Sequence, residues 1–392
     1  MLQSKPPSGR RVLIAGGGVA AIETVLALRA ASGGVAFDVT VLAPGRDLVY
    51  RPLSVGEPFG RPLLKRYALD AICADLGATL VHDVLGAVDG YRKTVTTGSG
   101  IELGYDALVV ATGARATESL PNAFTFFADT DPEDFQWIVR EVEEGVTRTI
   151  AFVVPLTSGW PLPLYELALM TAERAWAVGA GDVAFTLVTP EDSPLAIFQG
   201  AGSHAVARLL GVAGIEVESN TYAHDYDGRV VRLSPGDRRL AADRVVALPS
   251  LSGPDIAGLP LDANRFVRVD DHGRVPGLDG VYAVGDATTF AIKQGGIAAQ
   301  QADAVAALIA RGSDVDAARQ PAPRPHLRAI LLTGRDPLYL TATITGGESI
   351  TSNASRDCPW WPPHKIAARH LAPYLADHEQ RGAAPVLDLH RG

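Results

Sequence analysis

The stretch RVLIAGGGVAAIETVLALRA, at residues 11–30, limits the possible folds of this chain more than any other. An apolar strand pattern runs directly into a run of three glycines, and an Ala- and Leu-rich helix pattern follows. A second strand pattern, AFDVTVLA at 36–43, completes a strand–helix–strand unit. Gly16 allows a tight turn, Gly18 a close approach of the backbone to a pyrophosphate, and Ala21 close packing of helix on strand. The unit therefore predicts a dinucleotide site.

The acidic residue that usually ends the second strand of such a unit is missing. A carboxylate about 20 residues after the glycines would bind the ribose of NAD. That position holds Ala43, followed by Pro44 and, two residues later, by Arg46. These residues leave two explanations open. Either Arg46 binds a 2′-phosphate, which would make the ligand NADP, or the ligand is FAD, held mainly by backbone contacts.

Two later strand patterns carry further motifs. YDALVVATGARA (105–116) ends in Ala111-Thr112-Gly113, and LDGVYAVGDATTF (278–290) ends in Gly285-Asp286. Together with the glycine turn, they resemble the pyridine nucleotide–disulfide oxidoreductase superfamily, flavoproteins with two dinucleotide-binding domains. The resemblance implies that the ligand is FAD. It also implies that the Ala-Thr-Gly segment lines the FAD and that Asp286 accepts a hydrogen bond from a ribityl hydroxyl.

Three other stretches narrow the resemblance to sulfide:quinone oxidoreductases and type II NADH dehydrogenases. LVYRPLSVGEPFG (48–60) is similar to their aromatic-x-Pro loop beside the flavin, and IKQGGIAAQQADAVAALIA (292–310) to the turn and helix at the isoalloxazine ring. WWPPHKIAARHLAPYLA (360–376) is similar to tails of the sulfide:quinone branch. By this resemblance, the expected cofactor-binding residues are Gly16, Gly18, Val19, Ala20, Ala21, Ala43, Pro44, Arg51, Pro52, Val84, Ala111, Thr112, Gly113, Gly285, Asp286, Lys293, Gln294 and Gly295.

Lys293 is the candidate catalytic residue. It precedes Gln294 and Gly295 in the turn that, by the resemblance, faces the N1–C2=O edge of the flavin. Two-electron reduction places negative charge at that edge, so a nearby ammonium and the N–H groups of a helix start favour the reduced flavin. The alternative is a solvent-exposed lysine that precedes a glycine pair by coincidence.

A second strand–turn–helix unit, AFVVPLTSGWPLPLYELALM at 151–170, has lost its glycines. When Gly159 is aligned with Gly16, the second glycine position holds Pro161 and the third holds Leu164. Proline has no N–H to donate, and its ring fills the space that a phosphate needs. We therefore expect no classical NAD(P)H site here. Trp160 and Tyr165 either form an apolar wall for another ligand or belong to the core.

The chain is predicted to have an α/β fold with two Rossmann-like domains and a small C-terminal α+β domain. The FAD-binding domain is expected over 1–115 and 250–315, a degenerate NAD(P)-binding-like domain over 116–249, and the C-terminal domain over 320–392. An Asp or Thr in DTDPEDF (129–135) is expected to cap the first helix of the inserted domain. The Pro-rich stretch 318–326 predicts a semi-rigid linker, followed by two strands, LRAILL and LYLTATIT, and a final helix broken near Pro373.

The cysteines and histidines form no recognisable redox or metal motif. Cys73 and Cys358 are not in a CxxC pair, so we expect two isolated thiols. The resemblance would put a redox cysteine of the sulfide:quinone type at the start of the helix after Gly159, but Trp160, Pro161 and Leu162 stand there. The histidines near Cys358, which are His364, His370 and His378, lack ligand spacing, so no metal is expected.

Composition restricts the partners of the protein. The net charge of −9 disfavours nucleic acid, because phosphates require a basic face. No run of 18 apolar residues and no signal-peptide pattern is present, so we expect a cytoplasmic protein. The resemblance leaves open a peripheral contact with the inner face of the membrane, through the C-terminal region, and a homo-oligomer.

These observations favour an FAD-dependent oxidoreductase of the sulfide:quinone oxidoreductase type. It would pass electrons from an unidentified small-molecule donor, through FAD, to a quinone or another small acceptor. Two alternatives stay open. One is an FAD-binding subunit that is non-catalytic or depends on a partner, and the other is an NAD(P)H-dependent flavin reductase with an atypical nucleotide site.

Overall fold

The computed structural model describes residues 9–31, 36–60, 64–312, 323–345 and 348–382. Its α-helices are α1 (Val19–Ala31), α2 (Leu69–Asp75), α3 (Pro132–Glu143), α4 (Leu162–Ala177), α5 (Gln199–Val212), α6 (Gly295–Arg311) and α7 (Leu371–Gly382). Its β-strands are β1 (Arg10–Ala15), β2 (Phe37–Leu42), β3 (Asp47–Tyr50), β4 (Lys65–Ala68), β5 (Thr79–Val81), β6 (Leu85–Asp89), β7 (Thr94–Thr97), β8 (Glu102–Gly104), β9 (Ala107–Val110), β10 (Arg115–Thr117), β11 (Phe124–Thr125), β12 (Thr149–Val153), β13 (Ala184–Val188), β14 (Ile215–Glu218), β15 (Tyr222–Tyr226), β16 (Val230–Ser234), β17 (Arg238–Ala241), β18 (Arg244–Ala247), β19 (Ser250–Ser252), β20 (Val281–Ala283), β21 (His326–Leu331), β22 (Leu338–Thr345) and β23 (Glu348–Ser355). None of the described helices is long and apolar enough to cross a membrane.

The first sheet is parallel and has the strand order β20-β9-β1-β2-β5. Both faces are covered, as a parallel sheet requires. Ile14 packs against α1 and α6 on one face, and Leu13 packs with Val275 on the other. The helix predicted after the glycine turn, from Val19 to Ala31, is α1. Because β20 comes from far along the chain, this Rossmann-like domain is discontinuous, as the sequence predicts.

The second sheet, β11-β18-β12-β13-β14, is also parallel and belongs to the inserted domain. The apolar faces of α3 and α4 cover one side of it, with Phe135 and Leu167 in a core that also contains Leu340 of the C-terminal sheet. Asp131 caps α3, because its side chain accepts a 3.0 Å hydrogen bond from the N–H of Glu133. This confirms the predicted cap. The residue limits of the domains stay a prediction.

The C-terminal region contains an antiparallel sheet, β21-β22-β23, and α7. The apolar patterns predict β21 and β22 but not β23, whose polar sequence ESITSNAS lacks an apolar alternation. The expected break of the last helix near Pro373 is wrong, because α7 begins at Leu371. Pro373 therefore lies in the first turn, where no intrahelical N–H bond is lost. The predicted Pro-rich stretch 318–326 lies mostly outside the described residues.

Candidate functional site

Four of the predicted cofactor segments meet at the carboxyl edge of the first sheet. Gly16 follows β1, Ala43 follows β2, Ala111 follows β9, and Gly285 comes shortly after β20. Backbone bonds hold the segments together, since Gly16 N donates to the carbonyl of the last β2 residue at 2.8 Å and Ala111 N to the last β1 residue at 2.7 Å. The strand order reverses around β1, and ligands of open parallel sheets bind at such a switch point.

The glycines of the turn have different surroundings. Gly16 has a φ of +133°, and a Cβ atom there would lie 2.1 Å from the carbonyl oxygen of Ala111. The fold itself therefore requires glycine at this position. A Cβ atom on Gly18 would meet nothing within 4 Å. The open side of Gly18, at the start of α1, is thus a space that a pyrophosphate can occupy. Val19, Ala20 and Ala21 form the first turn of the helix behind it.

The other end of the edge is formed by the residues after β2 and β5. Ala43 is buried and Pro44 is exposed. Ala43 N donates a 3.0 Å hydrogen bond to the carbonyl of Val81, the last residue of β5. Val84 follows β5 and is 46% exposed. Pro44 and Val84 are therefore accessible to a ligand that extends along the edge beyond the glycine turn.

Asp286 lies in a short 3₁₀ turn, Gly285–Ala287, above β20. Burial raises the pKa of its carboxyl group, while the positive charges of Lys293 and Arg51 oppose the rise. Within the described parts of the chain, no donor forms a hydrogen bond with this carboxylate. The side chain is partly exposed, and an ionised carboxylate without a donor can accept hydrogen bonds from a ligand. It fits a ligand that brings hydroxyl groups, as a ribityl chain does.

Lys293 lies between the first domain and the loop before α4. Its backbone N–H donates a 3.1 Å hydrogen bond to the carbonyl of Gly159. Its ammonium donates to the carbonyl of Thr288 and lies 3.8 Å from the ring centre of Phe266. Burial lowers the pKa of Lys293 to about 8, although the charge of Asp286 opposes this. The side chain is partly buried, so it is not the freely solvated lysine of the alternative interpretation.

Gln294 is the N-cap of α6, and Gly295 is the first residue of that helix. The side-chain oxygen of Gln294 accepts a 2.8 Å hydrogen bond from Ile297 N, and its amide donates to the carbonyl of Arg328 in β21 at 3.1 Å. The side chain of Gln294 therefore caps the helix and fixes it to the C-terminal sheet. A Cβ atom on Gly295 would lie 2.9 Å from Ile366, so the C-terminal segment covers this residue.

A buried ion pair that no sequence motif indicates closes one side of the site. The ammonium of Lys365 lies 2.6 and 2.7 Å from the two carboxylate oxygens of Glu166 in α4, and 2.9 Å from the carbonyl of Pro52. Glu166 also accepts a 2.8 Å hydrogen bond from Leu332 N. An ammonium has three N–H groups, and each has an acceptor here. This geometry is that of a buried salt bridge.

Desolvation acts on both members of this pair. Burial raises the pKa of Glu166 and lowers that of Lys365, and the attraction between the two groups opposes both shifts. The next residue, Ile366, donates its N–H to the hydroxyl of Tyr50 at 2.8 Å. The C-terminal segment thus contacts the predicted aromatic-x-Pro loop, Tyr50 to Pro52, at two points. Arg51, between them, is exposed.

The corresponding edge of the second sheet is occupied by the protein's own side chains. Glu191, just after β13, is near the position where an acid would bind the ribose of NAD. Its carboxylate instead accepts hydrogen bonds from the hydroxyls of Tyr165 at 2.7 Å and Thr189 at 2.9 Å, and from Ala196 N at 3.0 Å. Tyr165 is fully buried, which supports its interpretation as core. Trp160 packs on the ring of Phe198.

The thiols and the possible metal ligands lie elsewhere. Cys73 and Cys358 are free, and burial raises the pKa of Cys73. Glu23, Asp303 and His370 bring ligand-type atoms within 4.8 Å of one another. Both oxygens of Glu23, however, already accept backbone N–H groups. His364 and His378, in contrast, make edge-to-face contacts with the rings of Tyr50 and Tyr67, respectively.

Comparisons of sequence relate the chain to known oxidoreductases. The family model of the pyridine nucleotide-disulphide oxidoreductases matches residues 166–302. The ferredoxin reductase component of a chlorobenzene dioxygenase from Cupriavidus sp. (strain PS12) is 30% identical over an alignment of 340 residues, which covers 76% of this chain and 74% of that protein. An NADH dehydrogenase-like protein of Mycobacterium tuberculosis is 28% identical over an alignment of 233 residues, which covers 56% of this chain and 58% of that protein.

Solved structures share the fold. The sulfide:quinone oxidoreductase of Aquifex aeolicus superposes with a TM-score of 0.77 and 21% identity, over 88% of this chain and 87% of that one. A ferredoxin reductase of Rhodopseudomonas palustris superposes with a TM-score of 0.63 and 21% identity, over 86% and 83%.

Proposed function

The chain belongs to the pyridine nucleotide–disulfide oxidoreductase superfamily and is therefore a flavin-dependent oxidoreductase, and on this premise we propose that its cofactor is FAD. The FAD would lie along the carboxyl edge of the first sheet. The observation that carries this proposal is the contrast between the two glycines. A side chain on Gly16 would collide with a carbonyl, whereas a side chain on Gly18 would enter open space. The donor-free carboxylate of Asp286 supports a ribityl chain further along the same edge.

Bound FAD would supply the two-electron chemistry, and the residues of the chain would supply binding and electrostatics. Gly18 and the first turn of α1 would hold the pyrophosphate. Asp286 would accept from a ribityl hydroxyl, and Lys293 would keep a positive charge near the ring. The start of α6, held by the side chain of Gln294, would direct its N–H groups and dipole at the same region.

We further propose that the electron donor is not NADH or NADPH bound in the classical way. Pro161 removes an N–H donor from the turn, and the carboxylate of Glu191 is engaged with Tyr165, Thr189 and Ala196. A nucleotide would have to break these buried hydrogen bonds to bind the ribose. The donor would therefore be another small reductant.

For the acceptor, we propose a quinone or another small oxidant, as in the sulfide:quinone oxidoreductase type. The C-terminal segment around Lys365 supports this choice, because it contacts the predicted aromatic-x-Pro loop at Pro52 and Tyr50, beside the predicted ring site. A second candidate is an electron-transfer protein. It is favoured by the 30% identity to a ferredoxin reductase component.

Anaerobic reduction followed by absorbance tests these proposals. Purified protein is expected to be yellow, with about one FAD per chain, and its absorbance would bleach with sulfide or another small reductant. Adding a short-chain quinone should restore the absorbance rapidly. If the purified protein contains no flavin and takes up no added FAD, the proposal of FAD as the cofactor is overturned. If a ferredoxin reoxidises the reduced flavin and a quinone does not, the proposal of a quinone acceptor is overturned, and an electron-transfer protein is the acceptor.

A further inference from the structure

Two buried glutamates occupy equivalent positions in the two Rossmann-like domains. Glu23 stands in α1 at the same distance from Gly16 as Glu166 stands in α4 from Gly159. Both carboxylates are fully shielded from solvent. A buried carboxylate is costly unless it is paired and hydrogen-bonded. Each of them therefore needs a partner from another part of the chain.

One short segment supplies both partners. We call residues 364–371 the C-terminal strap. At one end of the strap, Lys365 binds both oxygens of Glu166 at 2.6 and 2.7 Å. At the other end, the N–H groups of His370 and Leu371 donate to Glu23 at 2.9 and 2.6 Å. Leu371 begins α7, so Glu23 also interacts with the positive end of that helix.

Between these two attachments the strap crosses the predicted cofactor site. Lys365 contacts the carbonyl of Pro52, Ile366 N donates to Tyr50, and the side chain of Ile366 packs on Gly295. The strap therefore touches the loop after β3 and the start of α6. It lies between the two domains, with one glutamate of each domain as its anchor.

We propose that the C-terminal strap holds the inserted domain in position against the first domain, and that the Lys365–Glu166 ion pair is the attachment that sets this position. Lys365 and Glu166 are then positioning residues. A buried ion pair adds little stability compared with well-packed apolar residues, but its geometry is specific. The three acceptors around the ammonium fix α4 relative to the loop at Pro52, which an apolar contact would not do.

Two spin labels test the position of the inserted domain without any flavin. Tyr91 of the first domain is 99% exposed and Val212 at the end of α5 is 89% exposed, so Tyr91→Cys and Val212→Cys provide labelling sites. Cys358→Ser removes the accessible native thiol, and Cys73 is buried. The chain with an intact strap should give one narrow distance distribution in double electron–electron resonance, with or without FAD.

The decisive variant combines Lys365→Met with Glu166→Met. It cuts the strap from α4 and leaves no unpaired buried charge, so it should fold where Lys365→Met alone would leave Glu166 uncompensated. We expect its distance distribution to be at least twice as wide as that of the wild type. Lys365→Arg, which keeps the charge, should stay close to the wild-type width. The control is Lys93→Met with Asp279→Asn, which removes an exposed ion pair and should change nothing.

A folded double variant with the wild-type distribution would overturn the proposal. A second measurement rests on the proposed FAD site, namely quenching of flavin fluorescence by iodide. Because the strap covers that site, the quenching constant should rise several-fold in the double variant and stay constant in the control. If the distances widen in the double variant and the wild type takes up no flavin, the proposed cofactor is contradicted and the role of the strap stands. The two failures are therefore distinguishable.

Discussion

The hydroxyl of Tyr165 donates a 2.7 Å hydrogen bond to the carboxylate of Glu191, and it accepts one from Leu195 N at 3.2 Å. Tyr165 lies in α4 and Glu191 in the loop just after β13, the two elements that would hold the adenosine half of a nucleotide in a Rossmann domain. The side chains of this pair therefore occupy the region where a Rossmann domain with an NAD site would bind the adenosine half of the nucleotide.

From this pair we expect NADH and NADPH to reduce the flavin slowly, with a rate that rises linearly with nucleotide concentration. Glu191→Gln should leave that rate within about twofold of the wild type, because the carboxylate faces Tyr165 rather than the ligand. Stopped-flow absorbance measures both. Rapid bleaching that saturates at low nucleotide concentration, and weakens in Glu191→Gln, would show that the ribose is bound after all.

A second prediction uses the two glycines of the first turn. Gly18→Val should fold normally and retain little FAD, because its side chain enters the open space at the start of α1. Gly16→Ala should instead lower the yield of folded protein, because its Cβ would meet the carbonyl of Ala111 at 2.1 Å. Gly181→Val is the control, since Gly181 also has nothing within 4 Å but lies in the inserted domain. Circular dichroism and the ratio of flavin to protein absorbance separate the effects. Full flavin retention by Gly18→Val would contradict the site.

The sequence alone was sufficient for the parts of the fold that depend on local patterns. The glycine turn, α1 and the cap of α3 follow from spacing and from side chains that bond within a few residues. The convergence of Gly16, Ala111 and Asp286 could be predicted because parallel strands bring their carboxyl ends to one edge.

The strap could not be predicted, because its contacts join residues far apart in the chain. Glu166 and Lys365 are hydrogen-bonded in the fold, but no local pattern links them. One signal was available: Glu166 and Glu23 interrupt apolar helix patterns at equivalent positions, and a buried acid requires a partner. The polar strand β23 escaped recognition for another reason, since pairing with β22 rather than its own composition makes it a strand.

The third prediction concerns Asp303 in α6, beside Glu23. Burial and the neighbouring carboxylate of Glu23 raise the pKa of Asp303 to about 8. The folded protein therefore binds a proton that the unfolded chain releases near its ordinary pKa of 3.8. Between pH 3.8 and about pH 8, the folded state binds more protons than the unfolded chain. The free energy of unfolding therefore falls as the pH rises through this range, by up to about 1.4 kcal/mol per pH unit from this group.

Asp303→Asn should remove this dependence, because its amide can donate to Glu23 at every pH. We expect the variant to gain stability relative to the wild type as the pH rises from 5 to 8. Urea denaturation of both proteins at several pH values measures the difference. Parallel pH profiles would show that Asp303 ionises normally in the folded state.

The last prediction returns to Lys293. Its ammonium lies near the carboxylate of Asp286, on the face of Phe266, and close to the start of α6. If FAD occupies the predicted edge, this charge favours the reduced flavin, so Lys293→Met should lower the midpoint potential by tens of millivolts. For a two-electron couple, about 30 mV corresponds to about 1.4 kcal/mol. Lys93→Met, at an exposed lysine of the same domain, should leave the potential unchanged.

The pH dependence of this effect separates charge from packing. Because burial lowers the pKa of Lys293 to about 8, the wild type should lose the stabilising charge above that pH, whereas Lys293→Met has none to lose. The difference between the two midpoint potentials should therefore be largest near pH 7 and become small by about pH 9. Redox titration against a reference dye at both pH values measures it. A difference that stays constant with pH would mean that the substitution acts through packing, and equal potentials at pH 7 would assign the stabilisation of the reduced flavin to the start of α6 alone.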